Sequence, residues 1–207
     1  MKQNKTNKKF IYLISPNKIL DINFYDDLAL VFSSKKISFF QLRLKKETNL
    51  NKLIIGKKIR KICNKYKVKF LINDDPLLAK KLNADGCHLG QKDMDLIKAR
   101  KILKNKIIGV TCHNSINLAK RAIKDGADYL AFGAFYATKT KTVKYRASLT
   151  VLKSIKKITS LPIVAIGGIK LNNYKKLLLN KANFLAISGY IWNNKKYKPL
   201  EAIKKLK

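Results

Sequence analysis

The chain has 207 residues, 46% of them hydrophobic, so it can bury a full core, and disorder is excluded as the default reading. Its formal net charge of +34 invites a nucleic-acid role, but only five of the 46 basic residues are Arg and the Lys run along the whole chain. Lys, Asn and Ile are enriched together, as AT-rich coding would produce, so the charge reads as solvated helix faces and not as a binding stripe.

In chain order, Met1–Lys9 is expected to be a flexible basic N-terminus. The apolar run that follows, Phe10–Ile14, is too short for a signal core, and no stretch approaches the ~20 apolar residues of a membrane helix. Eight short apolar runs then recur: Phe10–Ser15, Ser38–Arg43, Lys69–Asp74, Gly86–Gly90, Lys106–Thr111, Tyr129–Phe135, Leu161–Gly167 and Phe184–Gly189. Each is followed by an amphipathic, Lys-rich segment. Near-continuous apolar runs suit parallel strands buried on both faces, and the segments between them suit crossover helices. In the fifth unit Ser115 is placed to cap the helix that runs to Asp125.

An internal echo supports this organisation. Ala84-Asp85-Gly86, Ala127-Asp128-Tyr129 and Ala182-Asn183-Phe184 recur at offsets of 43 and 55 residues, each near two βα units. Eight units in so short a chain, with no G-x-G-x-x-G after the first strand, favour a single-domain (β/α)8 TIM barrel over an open doubly wound sheet. Cys63, Cys87 and Cys112 form no C-x-x-C pair, and their odd number argues for a reducing, cytoplasmic compartment.

In a parallel barrel the strand C-termini and the loops after them share one mouth. Reading those positions alone, period-2 alternation puts Gln41, Arg43 and Lys45 on one side of the second strand. The third strand ends Asn73-Asp74-Asp75, and the fourth strand's loop is Gly90-Gln91-Lys92-Asp93. The fifth strand ends Thr111-Cys112-His113, and Thr138-Lys139-Thr140-Lys141 follows the sixth. The seventh ends Gly167-Gly168 and the eighth Ser188-Gly189. Arg43, Lys45 and Lys141 are converging cations, and Arg43 can grip phosphate through two parallel hydrogen bonds. Asp74 and Asp93 suit Mg²⁺, which takes one or two carboxylates and fills its remaining positions with water and substrate phosphate. Bland readings stand beside these: Asp74 and Asp93 could each cap the next helix, Gly167-Gly168 could be only a tight turn, and His113 could be a satisfied core histidine.

Taken together, Gln41-Leu42-Arg43-Leu44-Lys45, Ile72-Asn73-Asp74, Ala84–Met94, Gly109–His113, Thr138–Lys141 and Val164–Ile169 resemble thiamine-phosphate synthase, in order and spacing over about residues 10–190. The resemblance implies a β/α barrel that joins an aminopyrimidine methyl diphosphate to a thiazole phosphate, releasing pyrophosphate and using Mg²⁺. By matching position, Gln41, Arg43, Lys45, Asn73, Thr111 and Lys141 would bind the pyrimidine diphosphate, with Arg43, Lys45 and Lys141 as the catalytic cations. Asp74 and Asp93 would hold Mg²⁺, and Thr138, Thr140, Gly168, Ile187 and Ser188 would contact the thiazole phosphate.

The implied mechanism is dissociative: pyrophosphate leaves, the thiazole nitrogen attacks the pyrimidine cation, and closure of the Thr138–Arg146 loop excludes water. The chain departs from the family pattern at Thr111, where Ser is common, at Ala137, where Pro is usual, and in the basic stretch Thr142–Ala147. It departs again at Asn183-Phe184, where Asp-Gly is frequent, and at Gly189. Partners are expected to be small phosphorylated substrates, without nucleic acid or membrane, and a homodimer is the candidate assembly. The nearest rival is the sister thiazole tautomerase, which carries a His just after the sixth-strand Phe-Gly, where this chain has Ala134, and tends to lose the Thr-x-Thr-Lys loop. A basic nucleic-acid-binding barrel, with Asp74 and Asp93 dispensable, is the rival of another class.

Overall fold

The computed structural model describes residues 10–19, 23–138 and 145–207; the expected flexible start, residues 1–9, lies outside them. Among the described residues, eight parallel strands close into a barrel in sequence order. They are β1 (Ile11–Ile14), β2 (Ile37–Leu42), β3 (Lys69–Asn73), β4 (Gly86–Leu89), β5 (Ile107–His113), β6 (Tyr129–Phe132), β7 (Ile163–Ile166) and β8 (Phe184–Ile187). The crossovers carry α1 (Phe24–Ser33), α2 (Asn49–Tyr66), α3 (Pro76–Lys81), α4 (Leu96–Leu103), α5 (Ile116–Lys124), α6 (Leu149–Lys156) and α7 (Tyr174–Leu179). Two further helices, α8 (Gly189–Trp192) and α9 (Pro199–Lys205), follow the last strand. This is the expected (β/α)8 barrel. The strands match the expected runs within a few residues, β5 running on to His113 past a register irregularity between Thr111 and His113.

Alternation along each strand sorts the apolar residues into two separate cores. Ile11, Leu13, Phe40, Leu42, Phe70, Ile72, Cys87, Leu89, Ile108 and Val110 pack outward with the helices. Tyr12, Ile14, Leu71, Tyr129, Ala131, Val164 and Ala186 pack within the barrel. Both faces of every strand are thus covered, which is why the runs read as continuously apolar.

The internal echo has a physical meaning. Asp85, Asp128 and Asn183 each precede an even-numbered strand and clamp the start of the strand before it. The backbone N–H of Phe70, Ile108 and Ile163 donates to the side-chain oxygen of Asp85, Asp128 and Asn183 at 2.9, 2.7 and 2.8 Å. The N–H of each clamping residue donates back to the carbonyl of its partner at 2.8 Å. These reciprocal rings satisfy backbone groups where strands begin and hold the register of neighbours. Asn183 keeps the oxygen acceptor of Asp, and it lies at the end of the barrel opposite the mouth. The Asn183-Phe184 departure therefore belongs to the strand clamp and not to thiazole contact.

Capping is as expected at Ser115, whose side chain accepts from the Leu118 N–H. It differs from one bland reading at the acidic positions. Asp75, not Asp74, caps α3, and Asp95, not Asp93, caps α4, which leaves the two carboxylates at the mouth for other work.

Burial raises the Asp85 carboxyl pKa, but hydrogen bonds from Phe70 and Arg60 and the charges of Arg60 and Lys69 outweigh it and hold the group below the usual carboxylate range. A depressed folded-state pKa stabilises the fold at neutral pH, and that stabilisation is lost as pH falls through the lowered value. Asp85→Ala should cost about 1–3 kcal/mol in urea unfolding at pH 7, and Asp85→Asn, which keeps the acceptor as Asn183 does, clearly less. The gap between wild type and Asp85→Asn should narrow in acid.

Candidate active site

The mouth is assembled from strand ends. Gln41, 2% exposed at the end of β2, faces inward and its Nε2 donates to Asn73 Oδ1 at 3.2 Å. Leu42 and Leu44 alternate outward into the outer core, so Gln41, Arg43 and Lys45 share one side as expected. Lys45 Nζ lies 2.8 Å from Asp74 Oδ2. Asp74 adopts φ +64°, a left-handed conformation that Asp tolerates better than most residues. Its N–H continues the β3–β4 ladder by donating to the His88 carbonyl at 2.8 Å.

Asp74 and Asp93 are hydrogen-bonded to each other. Burial works to raise Asp74, but its hydrogen bonds with Asp93 and Lys45 and the Lys45 charge hold it below the usual carboxylate range. Asp93 is pushed up, first by burial and then by the Asp74 bond and charge, although the Gly90 N–H donates to its Oδ2 at 2.6 Å. The pair therefore loses its protons in two steps, Asp74 first and Asp93 second. Among the described residues no three His, Cys, Asp or Glu gather in a group that could hold a metal ion. A cation at this mouth would rest on the two carboxylates, with water and substrate oxygens completing its shell, which fits Mg²⁺.

Arg43 is oriented by residues that sequence reasoning passed over. Its Nη1 donates to Asn17 Oδ1 at 3.0 Å, and its backbone N–H donates to Ser15 Oγ at 2.9 Å. Ser15, 2% exposed, also receives the Ser188 hydroxyl at its carbonyl, at 3.0 Å, so one residue at the end of β1 ties the ends of β2 and β8 together. Only its place at a strand end could have marked it, because an uncharged Ser carries no phosphate or metal signal alone. Burial lowers the Arg43 pKa, opposed by the Asp74 charge.

Thr111 Oγ1 is 2.8 Å from His88 Nε2, and its carbonyl accepts from Gln91 Nε2 at 2.5 Å. His113 packs its ring on Tyr145, with centroids 4.5 Å apart. Gly167 and Gly168 have φ +105° and +62°, and a Cβ on Gly168 would lie 2.3 Å from the Ala137 carbonyl. The glycine pair is thus required by the close passage of the sixth loop, and the bland reading of it holds at least in part. Ser188 follows β8 at the mouth end, whereas the Ile187 side chain packs in the outer core, which leaves only its backbone available to the mouth. Thr138 is described; Thr140 and Lys141, and most of the loop expected to close, fall outside the described residues.

A closed parallel barrel with cations and paired carboxylates converging at its strand ends defines a TIM-barrel enzyme acting on small phosphorylated molecules. The model of the family described as thiamine monophosphate synthase matches residues 11–191. Thiamine-phosphate synthase of Pelagibacter ubique is 95% identical over all 207 residues of both chains. That of Nitrosomonas eutropha is 38% identical, covering 88% of this chain and 86% of the relative. The solved thiamine phosphate pyrophosphorylase from Pyrococcus furiosus superposes with a TM-score of 0.83 at 27% identity, over 97% of this chain and 94% of that one. The chain belongs to the thiamine monophosphate synthase family.

Asn17→Ala should weaken binding of inorganic pyrophosphate several-fold in titration calorimetry while leaving the melting temperature within a degree or so, since the Asn17–Arg43 contact is exposed.

Proposed function

We propose that this chain is a thiamine-phosphate synthase that joins 4-amino-2-methyl-5-(diphosphooxymethyl)pyrimidine to a thiazole phosphate, giving thiamine phosphate and pyrophosphate. The observation that carries the reading is the constellation of Lys45, Asp74 and Asp93: a cation 2.8 Å from one of two hydrogen-bonded carboxylates, beside Arg43. Phosphate binding alone needs only the cations. The carboxylates would find their use in holding a divalent ion, which would supply positive charge to the diphosphate.

In this reading Asp74 and Asp93 would hold Mg²⁺, which when bound neutralises charge that builds on the leaving pyrophosphate. Arg43 and Lys45 present preorganised positive charge to the same oxygens, and Lys141 is assigned the same task. Gln41, Asn73 and Thr111 line the inner wall, where they orient the aminopyrimidine. The 4-amino group feeds electrons into the ring, so the bond from the methylene carbon to the diphosphate oxygen breaks with both electrons leaving on pyrophosphate. The thiazole nitrogen lone pair then forms the new C–N bond. No protein base is required, and the chain's part is to hold the two partners in line. Thr138, Thr140, Gly168, Ser188 and the backbone of Ile187 are assigned to the thiazole phosphate.

No helix among the described residues is long and apolar enough to cross a membrane. All three cysteines are buried free thiols, as a reducing compartment allows, which supports a cytoplasmic location.

Purified protein given both precursors and Mg²⁺ should form thiamine phosphate. Tautomerisation of the thiazole without coupling would overturn the reading. Arg43→Ala should lower turnover by about 10², and near-unchanged product formation would remove Arg43 from the role. Because burial and Asp74 push the Asp93 pKa up, protonation of Asp93 competes with Mg²⁺ binding as the pH falls. Affinity for Mg²⁺ should therefore fall as pH drops through the raised pKa, by about tenfold per pH unit below it, and Asp93→Asn should bind weakly with a flat pH profile in metal titrations.

A further inference from the structure

Inside the barrel, beneath the mouth, a line of polar side chains occupies space that such barrels usually fill with Val, Ile and Leu. The Tyr12 and Tyr129 hydroxyls are 2.8 Å apart, Tyr129 Oη is 2.8 Å from His88 Nδ1, and His88 Nε2 is 2.8 Å from Thr111 Oγ1. The backbone is shaped to allow it. Gly109 lies between His88 and Tyr129 in strand register, and a Cβ on it would sit 1.8 Å from the Tyr129 ring. With that Cβ missing, the Tyr129 ring crosses β5 and stacks on the His88 ring, with centroids 5.6 Å apart and planes 15° apart.

The hydrogens in this line can be counted. With a neutral imidazole there are four: two phenol O–H, one ring N–H and the Thr111 O–H. Three bonds use three of them, so one hydrogen must leave the line at one end. Tyr12, at the deep end, is 2% exposed and Tyr129 3%, and among the described residues Tyr12 Oη has Tyr129 Oη as its one hydrogen-bond partner. If the spare hydrogen were on Tyr12 it would be buried without an acceptor, at a cost of about 1–3 kcal/mol. A doubly protonated imidazole leaves the same orphan. The favoured order therefore runs Tyr12 O–H to Tyr129, Tyr129 O–H to His88 Nδ1, and His88 Nε2–H to Thr111 Oγ1. The spare hydrogen is that of Thr111, at the mouth.

We propose that Tyr12, Tyr129 and His88 are positioning residues that fix His88 as its Nε2–H tautomer and so present the Thr111 hydroxyl to the substrate as a hydrogen-bond donor. A fixed donor selects an acceptor, either a ring nitrogen of the pyrimidine or a diphosphate oxygen, and costs no reorientation when the substrate arrives. The phenols suit the task because burial, first among the causes, raises the pKa of both, so they remain hydroxyls at any working pH. Thr in place of the family's common Ser keeps the hydroxyl and adds the rotameric stiffness of a β-branched side chain. The inference rests on the synthase reading for the identity of the ligand, but not for the tautomer.

Two measurements test it. The chain has two histidines, so ¹⁵N-histidine NMR of the wild-type protein, assigned with His113→Gln, reads the His88 tautomer without substrate. The expected result is the Nε2–H form, mixed with the Nδ1–H form in Tyr129→Phe. A wild-type Nδ1–H form or an imidazolium would overturn the proposal, whether or not the variants fold. In kinetics, Tyr129→Phe should lower kcat/KM about five- to tenfold. The double variant Tyr129→Phe/Thr111→Val should be no slower than Thr111→Val alone, because the tyrosine acts through the threonine. Losses that multiply would indicate separate roles and overturn it. A wild-type protein that makes no thiamine phosphate would instead remove the synthase reading, leaving the tautomer result standing.

Discussion

Closure of eight parallel strands imposes a strict division of labour on side chains. Each strand is buried on both faces, so its residues alternate between an outer core shared with the helices and an inner column that has no other exit than the two ends. Along β2 this one constraint puts Leu42 and Leu44 among the helices and Gln41 and Arg43 on the inner wall. It does the same for Asn73 and Thr111, and it turns the Ile187 side chain away from the mouth beside Ser188. A register slip of one residue on any strand would exchange the two sets.

The clamps formed by Asp85, Asp128 and Asn183 protect that register from the end of the barrel opposite the mouth. Each ties the start of an odd-numbered strand to the turn leading into its even-numbered neighbour, through two hydrogen bonds to a single residue. Stability and function are thereby separated in space. The clamp end holds carboxylates neutralised by structural partners such as Arg60, while the mouth holds Asp74 and Asp93, which push each other's pKa values apart. The inner column between the two ends is where the Tyr12–Tyr129–His88 line runs.

The large positive charge takes a modest place in this arrangement. Of the 46 basic residues, 20 lie in the described helices, so the charge is spread along the chain and not gathered at the mouth. At the mouth, the described cations Arg43 and Lys45 are held by Asn17 and Asp74 respectively, so the positive charge there is carried by a few oriented groups. The field of the remaining lysines favours approach of anionic substrates at low ionic strength without contributing specificity.

Much of this was legible in the amino-acid sequence. Apolar period and turn spacing sufficed for the eight strands, because burial on both faces leaves a continuous signature. The echo at 84, 127 and 182 marked strand starts, and the polar residues at strand ends marked the mouth. What the sequence left open was which of neighbouring, chemically equivalent residues does what. Asp75 and Asp95 cap helices while Asp74 and Asp93 face each other, a choice made by the left-handed turn at Asp74 and by the packing of the β4 loop. Ser15, Asn17, Tyr12 and Tyr129 carry no motif, and their roles arise only when closure brings β1 beside β2 and β8 and lets Tyr129 reach across Gly109 to His88. Periodicity is a local property that a chain can display in one dimension; a partner more than 100 residues away, as Tyr129 is for Tyr12, is decided by three-dimensional packing alone.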